Sequence, residues 1–151
     1  MDQNKFKSST GAELNLFSSL PSGSIRGVIH ITHGMVEHAG RYHRFAERCV
    51  EKGFAVLAHD LRGHGKTKAA GAPLGHFGTS NGLNLVLEDQ DCVIDFAKQK
   101  FPSVPIICFG HSLGAIIALN YAFMHPTKLS GLACWNRPES KLLAKLSQGI
   151  L

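Results

Sequence analysis

Apolar positions along the 151-residue chain follow two alternating patterns. Short apolar runs bounded by turn residues predict strands, and stretches with apolar residues three or four apart predict helices. Glu13 to Phe17 alternates polar and apolar residues and predicts a first strand, at a sheet edge. Ile25 to Thr32 (IRGVIHIT) is rich in β-branched residues and predicts a buried strand. Tyr42, Phe45, Ala46, Cys49 and Val50 then recur with the spacing of an amphipathic helix, with Gly53 at its C′ position. Phe54 to His59 (FAVLAH) predicts a second buried strand, and residues 62–82 a Gly-rich loop. Leu83, Val86, Leu87, Ile94, Ala97 and Phe101 form another helical stripe, with Glu88, Asp89, Asp91 and Lys98 on its wet side. Ile106 to Phe109 predicts a third buried strand, Leu113 to Met124 a buried helix stopped by His125-Pro126, and Leu129 to Trp135 a fourth central strand.

Strands joined by helical crossovers pair in parallel, with helices over both faces. The fold class is therefore α/β, with a mostly parallel open sheet. In such sheets chemistry gathers beyond the carboxyl ends of the strands. The residues just after Thr32, His59 and Phe109 are the ones to inspect.

Composition narrows the function classes. Hydrophobic residues make up 44% of the chain, enough to build a core, so global disorder is excluded. The net charge of +5 is scattered in short pairs such as Arg41/Arg44 and Lys98/Lys100, without a basic block, which argues against nucleic acid as a partner. No apolar run approaches the ~20 residues of a membrane span, so membrane contact is peripheral at most. Met1-Asp2-Gln3-Asn4-Lys5 has no apolar stretch behind it, so a cytoplasmic location is expected. Cys49, Cys92, Cys108 and Cys134 form no CxxC pair, and each lies in an apolar segment, as buried free thiols do. His33, His38 and His43 recur every five residues, which is not the i, i+4 spacing of a helical zinc site, and no metal is expected.

Three motifs follow the predicted strands. Gly110-His111-Ser112-Leu113-Gly114 matches G-x-S-x-G between a strand and a helix. There the chain must reverse within a few residues, and Gly110 and Gly114, lacking Cβ, let strand and helix approach. Ser112 is held at the apex, at the start of a helix whose dipole favours negative charge, and the Leu113 N–H points toward the developing oxyanion. The alternative for Ser112 is an ordinary helix N-cap. His33-Gly34-Met35-Val36-Glu37-His38 follows the strand ending at Thr32. Its turn can supply a second oxyanion donor, the Met35 N–H, while Glu37, His38 and Arg41 suit a polar brace for the loop. Asp60-Leu61-Arg62-Gly63-His64-Gly65 reads as a structural loop flanking the site.

Together, HGMVEHAGRY, DLRGHGKT and GHSLGA resemble the α/β-hydrolase superfamily, and within it the serine monoacylglycerol lipases and lysophospholipases. The H-G-x-x-E-H-x-x-R-Y signature is matched at His33, Gly34, Glu37, His38, Arg41 and Tyr42. The D-x-x-G-H-G element is matched at Asp60, Gly63, His64 and Gly65, with Thr67 where serine is more usual. The resemblance covers residues 5–135 and implies the N-terminal portion of an α/β-hydrolase core, followed over 136–151 by the start of a cap helix. It implies Ser112 as nucleophile, Met35 and Leu113 as backbone oxyanion donors, and His33, Gly34, Glu37, His38, Gly110 and Gly114 as residues that shape the site. It also implies cleavage of a small acyl ester or lipid without metal or organic cofactor.

The family's triad runs Ser, Asp or Glu, then His in chain order. After Ser112 this chain has one acidic residue, Glu139, and one histidine, His125, in the reverse order. His125 falls at the far end of a predicted helix, about 18–20 Å from Ser112 at ~1.5 Å per residue. The expectation is a truncated product: a nucleophile and an oxyanion hole without their base and acid, or an inactive remnant that binds a ligand or partner.

Overall fold

The computed structural model describes residues 1–136. It contains six strands: β1 (Asp2–Lys7), β2 (Glu13–Ser19), β3 (Gly27–Thr32), β4 (Phe54–His59), β5 (Ile106–His111) and β6 (Gly131–Trp135). Three α-helices accompany them: α1 (His43–Glu51), α2 (Gly82–Lys100) and α3 (Leu113–Met124). All six strands form one sheet in the order β1-β2-β4-β3-β5-β6. β4-β3-β5-β6 pair in parallel, and β1 and β2 join as antiparallel strands.

Period-two alternation sends neighbouring residues of each strand to opposite faces. Val28, Ala55, Leu57, Ile106 and Cys108 pack with Val93, Ile94, Ile117 and Tyr121 beneath α2 and α3. Ile31, Val56 and Ala58 pack on the other face against Ala46 and Cys49 of α1. Gly53 ends α1 as expected: its φ is +83°, and its N–H donates to the Val50 carbonyl at 2.9 Å.

The structure corrects four details. The strand at Glu13 is neither first nor at the edge, because the polar stretch Asp2–Lys7 forms β1 outside it. Asp89, expected on the wet face of α2, is 1% exposed and faces inward to a partner described below. β6 was expected to be central, yet among the described residues it is the sheet's last strand, with Leu132 and Trp135 exposed. Of the four cysteines only Cys49 and Cys108 are buried, and Cys134 on β6 is exposed. The expected cap segment 136–151 lies outside the described residues, Asn136 apart.

Candidate active site

The turn from β5 into α3 carries Ser112 at φ +52° and ψ −117°, a conformation that L-residues rarely adopt. Such backbone costs of order 1–3 kcal/mol and persists only where its surroundings impose it. Here the Ser112 N–H donates to the Trp135 carbonyl at 2.9 Å, at the end of β6, and the Ser112 carbonyl accepts from the Ala115 N–H at 3.0 Å. Ser112 stands at the N-cap position of α3, but its side chain makes no capping bond to the helix.

Both elbow glycines are required by contact. A Cβ on Gly110 would lie 2.6 Å from the Ala115 Cα, and one on Gly114 would meet the carbonyl oxygens of Thr32 and His33. The helix start is thus pressed against the end of β3 as well as β5. The obstructing atoms are backbone and cannot swing aside, so Gly114→Ala should destabilise the fold by about 1–3 kcal/mol or more. A chemical-denaturation midpoint unchanged from the wild type would contradict this packing.

The loop after β3 brings the second motif alongside. His33 is fully buried; its Nδ1–H donates to the Gly34 carbonyl at 2.7 Å, and its Nε2 accepts from the Leu61 N–H at 2.9 Å. Burial pushes the pKa of this imidazole down to about 4, so it is neutral at pH 7 and fixed in one tautomer. Glu37 turns back into the loop. Its Oε1 accepts from the Gly34 N–H, from the Tyr42 hydroxyl at 2.7 Å and from His111 Nδ1 at 2.9 Å, and its Oε2 accepts from Arg41 at 2.9 Å. Burial alone would raise the carboxyl pKa, but these donors outweigh it and hold it at about 2. Burial, then the Glu37 carboxylate, push the Tyr42 phenol the other way, far above its usual range. The expected brace of Glu37, His38 and Arg41 is therefore only partly present: His38 is exposed, and Tyr42 and His111 occupy its place. Nothing in the sequence marks His111 for this role, since it is the variable position of the elbow.

The third motif is structural, as expected. The Asp60 carboxylate accepts from Asn15 Nδ2 at 2.7 Å, the Ala39 N–H at 2.8 Å and the Lys66 N–H at 2.8 Å, which ties three segments together. Gly63 and Gly65 take φ +66° and +54°, and at Gly65 a side chain would run into Asp60. Arg62, which the motif reading did not single out, pairs with Asp89 at 2.6 Å, with side chains 3% and 2% exposed.

Met35 and Leu113, the two candidate donors, line one pocket of about 540 Å³ together with His64, Phe77, Ile116 and Ile117. Leu113 opens α3, where a first-turn N–H has no acceptor within its own helix. A second pocket of about 500 Å³ lies on the α1 side, lined by Phe45, Phe109 and Trp135 with Arg41 and Arg44. His125 caps the far end of α3 and stacks on Tyr121 at 4.6 Å between centroids, away from Ser112.

Comparison with known proteins agrees with this architecture. The serine aminopeptidase S33 family model matches residues 23–137. A monoacylglycerol lipase from Mycolicibacterium smegmatis is 36% identical over 112 residues, covering 74% of this chain and 38% of its own length. A mouse monoglyceride lipase is 32% identical over 112 residues, covering 74% and 35%. The chain thus spans little more than a third of the length of these curated relatives. Among solved structures, a carboxyl esterase from Bacillus coagulans superposes with a TM-score of 0.79 at 32% identity, over 88% of this chain and 43% of that one. A soluble variant of the Saccharomyces cerevisiae monoglyceride lipase shares the fold with a TM-score of 0.73 at 22% identity, over 99% of this chain and 49% of that one. With the matching family model covering most of the chain, this chain is a member of the serine aminopeptidase S33 family of α/β-hydrolases.

Proposed function

We propose that this chain carries the nucleophile of a serine ester hydrolase acting on monoacylglycerol or a lysophospholipid. The observation that carries the reading is Ser112: a strained apex residue, uncommitted to its helix, at the carboxyl end of a parallel strand. In this reading the Ser112 Oγ attacks the ester carbonyl carbon and gives its proton to a base. The carbonyl oxygen becomes an oxyanion that accepts from the Met35 and Leu113 N–H groups. Collapse expels the alcohol, which takes up the proton, and water then cleaves the acyl-serine to release the fatty acid and restore Ser112. The pocket beneath Met35 and Leu113, walled by Phe77, Ile116 and Ile117, suits an acyl chain. The lipase names of the relatives support the same substrate class, and the chemistry calls on no metal or organic cofactor.

Among the described residues no side chain is assigned as the base or as its orienting acid. Within them, Ser112 Oγ has no hydrogen bond to an imidazole: both ring nitrogens of His33 are taken, by Gly34 and Leu61, and His125 is remote at the far end of α3. Serine without an adjacent base is a weak nucleophile, so reaction with an aryl fluorophosphonate should be slow, limited to what the oxyanion hole contributes. Intact-mass analysis should show one adduct, absent in Ser112→Ala. An adduct that survives that substitution would overturn the assignment. That no described imidazole is hydrogen-bonded to Ser112 Oγ favours a second reading, an acyl-ligand binder without turnover. It predicts no p-nitrophenyl ester hydrolysis above the Ser112→Ala background. Either way the site takes a small acyl lipid, and a cytoplasmic setting with peripheral membrane contact fits a chain in which no described helix is long and apolar enough to cross a bilayer.

A further inference from the structure

We propose that Glu37 is a positioning residue that sets the separation of the two oxyanion donors by tying the loop after β3 to the residue preceding Ser112. The inference rests on the assignment of Ser112, Met35 and Leu113 above. One donor is carried by the β3 loop and the other by the β5–α3 elbow, and no strand pairing extends that far to hold them in register. The last paired residues of β3 and β5 are Thr32 and Gly110. Beyond them the two loops are joined through one carboxylate, whose Oε1 takes the Gly34 N–H on one side and His111 Nδ1 on the other.

Both contacts lie one residue from the chemistry. Gly34 precedes Met35 and His111 precedes Ser112. The loops touch there: a Cβ on Gly34 would sit 2.8 Å from Glu37 Oε1, 3.2 Å from His111 Nδ1 and 3.3 Å from the His111 carbonyl. Only glycine lets the carboxylate close this gap. The Glu37 side chain is 4% exposed, so water does not compete for its oxygens, and the Tyr42 hydroxyl and Arg41 fix it from behind. Charge-assisted bonds of this kind are the strong, geometry-setting class.

Because Ser112 Oγ has no hydrogen bond to an imidazole among the described residues, its slow phosphonylation reports mainly on the oxyanion hole. Loss of one donor in such sites costs about 100–1000-fold, and a displaced donor part of that. Glu37→Gln should therefore slow labelling per folded molecule about 10–100-fold, with folded fraction measured by circular dichroism in the same samples. His111→Leu should slow it similarly, and the double variant should be no slower than Glu37→Gln alone. His111→Gln restores a donor toward Glu37 and should recover labelling to within a few fold of wild type. A purely structural brace would lower the melting temperature but leave labelling per folded molecule unchanged and His111→Gln no better than His111→Leu; that result would overturn the proposal. Ser112→Ala run alongside separates failure of this inference from failure of the nucleophile assignment.

Discussion

Asp89→Ala should destabilise the fold by about 3–5 kcal/mol, the range for removing one partner of a buried ion pair. Asp89 lies on α2 and Arg62 on the loop after β4, 27 positions apart in sequence. Arg62 Nε donates to Asp89 Oδ2 at 2.6 Å, and the Thr10 hydroxyl donates to Asp89 Oδ1 at 2.5 Å. Arg62 also reaches Thr10 Oγ1 at 2.6 Å, so the cluster joins the β1–β2 turn, the Gly-rich loop and α2. Deleting the carboxylate leaves a guanidinium that is always charged and 3% exposed, with no anion to meet it. Urea melts followed by far-UV circular dichroism measure the loss. The paired substitution Arg62→Met with Asp89→Leu should recover most of it, because two apolar side chains of similar volume remove both charges together. A loss under about 1 kcal/mol for Asp89→Ala would mean that water reaches this cluster.

The same pair shows where sequence reading stops. Asp89 sits beside Glu88 and near Asp91 and Lys98, and helical periodicity alone assigns all four to solvent. What turns Asp89 inward is an arginine in a loop whose path depends on Gly63 and Gly65, and periodicity carries no information about that path. β1 was hidden for a related reason: DQNKFK has one apolar residue, and its pairing with β2 comes from open backbone groups at a sheet edge rather than from burial. His111 could not be found because the elbow motif leaves its position open. By contrast, β4, α3 and the Gly53 helix stop were legible. Their signals are local: a continuous apolar run, an apolar stretch ended by His-Pro, and a glycine that tolerates positive φ. The elbow was legible because steric demands at Gly110 and Gly114 write themselves directly into residue choice. Its working geometry, with Glu37 drawn onto His111, comes from contacts 74 positions apart.

Acid should destabilise this protein steadily through its buried histidines. His30 and His59 are buried side by side between the sheet and α2, with His30 Nε2 and His59 Nδ1 3.3 Å apart. Among the described residues His59 Nε2 has no partner, and His30 Nδ1 faces the Cys108 sulfur at 3.6 Å. With both rings neutral, one N–H fills the contact between them. A further proton adds charge and a donor with no acceptor to receive it. Burial, with the neighbouring ring second, holds His30 well below the usual histidine range. Burial also lowers His59 to about 4, against the pull of Asp89 and Asp60, and lowers His33 to about 4. Each ring binds its proton more readily once unfolded, so stability is intact above the unfolded pKa of about 6.5 and falls as the pH drops from there to about 4. For His33 the shift corresponds to about 3 kcal/mol, a large part of the stability of many domains, and His59 acts in the same direction. Glu37 has the opposite sense and a separate window: its carboxyl, held at about 2, keeps its contribution across this range and loses it only in stronger acid. Urea midpoints measured from pH 7.5 to 4.5 should decline steadily, and His59→Gln, which cannot titrate, should flatten part of the slope. A midpoint constant down to pH 4.5 would show that these imidazoles find proton acceptors, or water, that the packing between the sheet and α2 does not provide.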